Sequence, residues 1–264
     1  MKAALTPYPE INILLNELLA GVRDVLGQQF VGLYVHGSVA SHDFNPQRSD
    51  IDFVVVTADS LPADVLSALE AMHARLTASG LQWADVLEGS YIPQAALRRY
   101  DPAWVDYPAL STGGSFGVDK HGSDWIIQRH LLRERGIAVA GPPINTLIDP
   151  VAPDALRWAS RETLREWWQP QLTDSFRILS DEYQAYAILT MCRILYTLEH
   201  GDVASKPTAA QWAKTILDAH WSLLIDRALA WGHGTKMNAF DDTLTLIRYT
   251  LERSESFDLP EHPF

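Results

Sequence analysis

Residues 30–58 read FVGLYVHGSVASHDFNPQRSDIDFVVVTA, and their pattern decides the fold. A short apolar run rich in β-formers ends at His36-Gly37-Ser38. A polar stretch holding Pro46 follows, and a second apolar run opens at Asp50-Ile51-Asp52. The reading is strand, turn, connection, strand. Side chains alternate faces along an extended chain, so Asp50 and Asp52 point to the same side. Two carboxylates held that close repel unless a cation lies between them. Oxygen ligands of this kind suit Mg²⁺, which binds through one or two carboxylates plus substrate phosphates. Gly37 and Ser38 at the turn offer backbone N–H groups and a hydroxyl to an anion. A phosphate cradle beside a metal site is the equipment of phosphoryl or nucleotidyl transfer.

Ahead of this stretch, Ile11, Leu14, Leu15, Leu18, Leu19, Val22, Val25 and Leu26 recur at three- and four-residue steps. They predict an amphipathic helix that Gly27 stops. Behind it, 65–76 reads as a helix and 81–92 as a third strand closed by Pro93. The mixture predicts a sheet flanked by helices. From residue 154 the character changes. The segments 154–168, 180–200, 208–217, 221–231 and 240–253 carry helical periodicity with almost no strand signal. The stretch 112–125 (TGGSFGVDKHGSDW) is glycine-rich and polar, and within it GGSFG (113–117) lacks the Lys-Ser/Thr of a Walker loop and reads as a hinge or lid. The stretch 140–153 holds four of the fifteen prolines and reads as a linker. The expected fold class is α+β: a domain of mixed sheet with helices over 1–150, then an all-α helical bundle over 151–264.

The 264 residues carry 21 basic and 33 acidic side chains, a net charge of −12. The halves hold −7 and −5, so no tail concentrates it. This balance argues against a nucleic acid partner and favours metal ions or polycationic small molecules. Cys192 is the only cysteine, which excludes an internal disulfide and suits a reducing cytoplasm. No stretch is apolar for the length of a membrane helix, and the start lacks a signal peptide's apolar core. The nine histidines show no HExxH or His-x-His spacing, so zinc is not expected. Cys192 and the Trp167-Trp168 pair read as packing residues, and His36 as strand packing or a supporting hydrogen bond.

Gly-Ser, eleven residues, then Asp-Ile-Asp across two strands resembles the polymerase-β-type nucleotidyltransferase superfamily. Within it, LYVHGSVASHDFNPQRSDIDFVVV (33–56) is similar to the bacterial aminoglycoside nucleotidyltransferases. The stretch LTMCRILYTLEHGDVASKPTAAQWA (189–213) resembles the C-terminal helical domain of streptomycin/spectinomycin adenylyltransferases. The resemblance implies a nucleotidyltransferase domain joined to a helical substrate-binding domain, with the site in the cleft between them. It implies a monomer that uses ATP and two Mg²⁺ ions to transfer AMP to a drug hydroxyl, with pyrophosphate leaving. Gly37 and Ser38 would bind the triphosphate, assisted by Ser49. Asp50 and Asp52 would hold the metals with a third carboxylate from the next strand. Asp85 and Glu88 both qualify, and the match of Leu87-Glu88 to the family's strand favours Glu88, also as general base. Lys206 matches a lysine that reaches the ATP phosphates, and Trp231 an aromatic near the nucleotide. On the drug side, Asp181 and Glu182 lie about two residues off the family's acidic position. Trp104 and Trp125 lie near its tryptophan, and the 112–125 stretch departs from the pattern. These departures favour spectinomycin over streptomycin. Two rivals remain: transfer of AMP to a protein hydroxyl or an endogenous metabolite, and a catalytically silent nucleotide-binding regulator.

Overall fold

The computed structural model describes residues 5–41, 43–46, 49–232 and 234–261. The chain divides into two compact units, Met1–Pro150 and Val151–Phe264.

In the first unit, Pro9 opens α1 (Pro9–Leu26), whose residues Ile11, Leu14, Leu15, Leu18, Val22 and Leu26 are buried. Gly27 ends it at a φ of +49°, a conformation that glycine adopts without strain. β1 (Phe30–Val35) leads into the four-residue α2 (Gly37–Ala40), and β2 (Ile51–Thr57) and α3 (Ala63–Thr77) follow. Next come β3 (Leu87–Pro93), the short α4 (Gln94–Leu97), β4 (Asp106–Ser111) and β5 (Ser115–Lys120). α5 (Asp124–Arg135) and β6 (Ile137–Ala140) complete the unit's regular elements. The six strands form one mixed sheet in the order β5-β4-β3-β2-β1-β6. β2 and β3 run parallel, and the other neighbours run antiparallel.

Alternation along β2 and β3 sorts their side chains onto two faces. Ile51, Phe53, Val55, Leu87 and Tyr91 join a core with α1 and α3. Val54, Val56 and Ile92 join another with Leu132 of α5 and Ile144. Cover on both faces is why β2 reads as one continuous apolar run.

Two readings of the sequence are corrected here. The third strand starts at Leu87 and not at 81, because Trp83 takes a left-handed backbone (φ +66°) and Ala84–Val86 form a 3-10 turn. The stretch 112–125, which holds the expected hinge or lid at 113–117, is built into regular elements. Its first part closes the β4–β5 hairpin, with Gly113 and Gly114 at φ +87° and +81° and Ser111 paired to Ser115. Its last two residues, Asp124 and Trp125, open α5.

The second unit is helical: α6 (Pro153–Thr163), α7 (Asp181–His200), α8 (Lys206–Ile216), α9 (Ala219–Ala230) and α10 (Phe240–Ser254). α7 is its axis. Ser180 caps it by accepting the Tyr183 N–H, and Gly201 ends it at φ +63°. Eleven of its residues from Gln184 to Leu198 are buried, packed among α6, α8, α9 and α10. The expected helix 154–168 stops at Thr163 and continues as a wider π turn, Leu164–Trp168. That turn buries Trp168 and leaves Trp167 partly exposed. Cys192 is buried among apolar neighbours, which push its thiol pKa up to about 12. Among the described residues no helix is long and apolar enough to cross a membrane.

Candidate active site

Where β1 ends, the His36 N–H donates to the Asp52 carbonyl at 3.0 Å, tying the turn to β2. Gly37 then opens α2 at φ +62°. A Cβ on Gly37 would lie 1.8 Å from Asp52 Oδ2. Glycine is required twice over, by its backbone conformation and by the carboxylate against it. The Ser38 hydroxyl makes a long hydrogen bond, 3.5 Å, to the Asp50 carbonyl. Ser49 closes the loop before β2: its N–H donates to Asn45 O at 2.9 Å, and its hydroxyl accepts the Asn45 N–H at 3.0 Å.

Asp50 precedes β2, and Asp52 is the strand's second residue. The parallel pairing sets Asp52 level with Glu88 on β3, on strands about 4.8 Å apart. The Glu88 pKa is raised. Partial withdrawal from water is the first cause, the charges of Asp52 and Asp50 the next, and Asp119 adds a smaller push. A 3.4 Å hydrogen bond from the Thr112 hydroxyl opposes the rise. Glu88 is thus electrostatically coupled to both aspartates. Asp85, three residues earlier, sits in the 3-10 turn, where its carbonyl accepts the Gly113 N–H at 2.7 Å.

A cavity of about 170 Å³ opens on this face, walled by Asp52, Glu88, Ser90, Asp119 and His36, with Asp124, Trp125 and Gln128 of α5. His36 is buried there, and desolvation lowers its pKa against the pull of Asp52. Among the described residues its Nδ1 has no hydrogen-bond partner. Beside the cavity, His121 Nε2 shares a 2.9 Å hydrogen bond with Ser90 Oγ. The His121 ring stacks on Trp125 with centroids 3.4 Å apart. Burial, Arg129 and His36 together bring the His121 pKa down to about 2, so this imidazole is neutral at any working pH.

The structure therefore brings Gly37, Ser38, Asp50, Asp52 and Glu88 together in the first unit. Sequence reasoning did not pick out Ser90, Asp119, His121, Asp124 and Gln128. The one signal was the density of polar residues in GVDKHGSD (117–124). Among the described residues, no three His, Cys, Asp or Glu side chains converge as a ready-made metal cage. The expected metal set of Asp50, Asp52 and Glu88 is thus not preformed.

Lys206, Trp231, Asp181 and Glu182 belong to the second unit, and Trp104 and Trp125 to the first. Lys206 is the first residue of α8, behind its N-cap Ser205, and its Nζ lies 5.5 Å from the Tyr186 ring centre. Trp231 follows α9, and its indole N–H donates to the Thr235 carbonyl at 3.2 Å. Asp181 is committed within the second unit. Its carboxylate accepts the N–H groups of Met237 and Asn238 at 2.8 and 3.2 Å and pairs with Lys236 at 3.1 Å. Glu182 and Trp104 are exposed, while Trp125 lines the cavity.

Residues 19–92 match the nucleotidyltransferase domain family, and residues 146–253 match the aminoglycoside adenylyltransferase C-terminal domain family. The spectinomycin 9-adenylyltransferase of Staphylococcus aureus is 25% identical over 222 residues, covering 78% of this chain and 79% of that protein. The aminoglycoside (3'') (9) adenylyltransferase of Escherichia coli is 25% identical over 225 residues, 82% of each chain. Among solved structures, a spectinomycin adenyltransferase from Enterococcus faecialis, crystallised with ATP and spectinomycin, superposes with a TM-score of 0.73. It shares 19% identity and covers 92% of this chain and 99% of that one, a likeness of fold. The two family matches, in this order over more than two thirds of the chain, make it similar along most of its length to the aminoglycoside adenylyltransferases.

Proposed function

We propose that this protein transfers AMP from ATP to a hydroxyl of an aminoglycoside-type antibiotic, spectinomycin or streptomycin, with pyrophosphate leaving. The observation that carries the reading is the pairing of Asp52 with Glu88 across β2 and β3, beside the positive-φ turn at Gly37.

Gly37 and Ser38 present a backbone N–H and a hydroxyl to the triphosphate, with Ser49 in support. The bare Cα of Gly37 lets the phosphates approach the turn. Asp50 and Asp52 would hold Mg²⁺, with Glu88 next to them. The donor set fits: it is all oxygen, and Mg²⁺ completes its shell with substrate phosphates and water without needing an all-protein cage. When bound, the ions would neutralise charge on the phosphate oxygens and favour in-line displacement. Glu88 takes the proton from the acceptor hydroxyl as its oxygen attacks the α-phosphorus. Its raised pKa makes it a stronger base than an ordinary glutamate. Lys206 supplies an ammonium for the triphosphate oxygens. Residues 1–150 act as the nucleotidyltransferase domain and 151–264 as the helical substrate-binding domain of a monomer. Dependence on ATP and a single buried thiol suit the cytoplasm.

Mass spectrometry tests this. The full chain is incubated with ATP and Mg²⁺ and, separately, with spectinomycin and streptomycin. A drug heavier by one adenylyl group, absent without protein, is the expected result. No adduct on either drug, with ATP binding intact, overturns the acceptor assignment.

A further inference from the structure

Alternation on the β4–β5 hairpin fixes the direction of a residue that the proposed reaction leaves unused. Asp119 pairs with Tyr107, as Gly117 pairs with Ala109 and Ala109 with Ser90. Paired residues share a face, and Ser90 lies two residues beyond Glu88 on β3, on the same face. Phe116, of opposite parity, packs into the other core with α1 and α3. Asp119 therefore stands on the Glu88 side of the sheet, in the wall of the cavity.

We propose that Asp119 is a specificity-determining residue that recognises an ammonium group of the acceptor, which rests on the transfer reaction proposed above. Four carboxylates wall this cavity: Asp52, Glu88, Asp119 and Asp124. The first two have work in the reaction, and Asp124 acts on the buried Arg129. Asp119 accepts a local hydrogen bond from the Lys120 N–H at 2.8 Å, yet among the described residues it pairs with no Lys or Arg side chain. Elsewhere carboxylates find cations readily: Asp149 holds Arg98 and Arg99, Asp154 Arg157, and Asp226 Lys214. A carboxylate left unpaired among like charges raises the local field, and a cation from outside relieves it. A second observation also points to a ligand. His36 lines the same cavity, is 7% exposed, and among the described residues its Nδ1 has no partner. Buried polar atoms are otherwise satisfied. An acceptor carrying both hydroxyl and ammonium groups answers both demands.

The test compares wild type with Asp119→Asn and Asp119→Glu in the adenylylation assay with spectinomycin. Asp119→Asn is expected to raise KM for the drug about five- to tenfold, with kcat and the KM for ATP within about twofold. Asp119→Glu should recover much of the loss, which a merely structural role would not produce. An unchanged drug KM in Asp119→Asn, or an equal rise in the KM for ATP, overturns the assignment and leaves the reaction standing. If wild type transfers AMP to no drug, the reaction fails instead. Calorimetric binding of spectinomycin to the same three proteins then decides the inference: weaker binding in Asp119→Asn supports it. Equal binding, or none by wild type, overturns it.

Discussion

The contact between Gly37 and Asp52 leaves no room for a methyl group, since a Cβ would fall 1.8 Å from Oδ2. Gly37→Ala must either shift the turn or push the carboxylate aside. With the strain of a non-glycine residue at φ +62°, the cost should be about 1–3 kcal/mol in urea unfolding. Turnover should fall at least roughly a hundredfold, as a misplaced site residue does. Wild-type turnover in this variant would show that the turn does not serve the triphosphate. Glu88 yields a paired prediction with opposite signs for activity and stability. Its pKa in the fold lies above the ordinary 4.5. Across that window the folded state binds more protons than the unfolded chain, so stability falls as pH rises through it. Glu88→Gln removes the titrating charge. The variant should lose transfer yet melt higher than wild type at neutral pH, with the difference shrinking near pH 4. In wild type, kcat/KM should decline on the acid side at a pH above the ordinary glutamate value, because the base must be ionised. An equal melting difference at both pH values would detach Glu88 from the Asp50–Asp52 field.

Elements whose side-chain pattern matches their burial were legible from the sequence. The three- and four-step apolar residues of α1 are the ones it buries, and β2 reads apolar because both its faces are covered. The hairpin was missed because β5 is an edge strand with largely exposed residues, so no apolar alternation marks it. α5 was missed for a different reason: its inward face includes Arg129, a polar letter in the sequence. Only the structure supplies the partners that bury it, the carbonyls of Leu97, Ala96 and Trp125 at 3.1 to 3.3 Å. The same gap hid part of the site. Asp50 and Asp52 declare themselves by their spacing at the head of one strand, whereas Asp119 and Ser90 meet only through sheet register. Local capping, by contrast, is readable and carries its own prediction. Ser205 accepts the Thr208 N–H at 3.3 Å and starts α8 at Lys206. Ser205→Ala should cost about 1 kcal/mol in denaturant unfolding and Ser205→Asp only a few tenths. Equal losses from both would mean that the cap does not support α8.

At the scale of the molecule, the charge of −12 acts on the two substrates in opposite ways. ATP is an anion, even when it carries Mg²⁺. It approaches a protein whose halves are both acidic, so its encounter works against the field. A cationic acceptor is drawn by the same field, and most strongly toward the face that gathers Asp52, Glu88, Asp119 and Asp124. Salt weakens both effects, because the screening length falls from roughly 10 Å at 0.1 M to about 3 Å at 1 M. Raising NaCl from about 0.05 to about 0.5 M crosses much of that range. The KM for the drug should then rise several-fold, the KM for ATP should hold or fall, and kcat should stay nearly constant. Steady-state kinetics with Mg²⁺ held in excess separates the three quantities. If both KM values rise together, salt is acting on the fold or on the metal ions and not on steering. If neither moves, the acidic field plays no part in recognising the acceptor, and contact with neutral hydroxyls alone must select it.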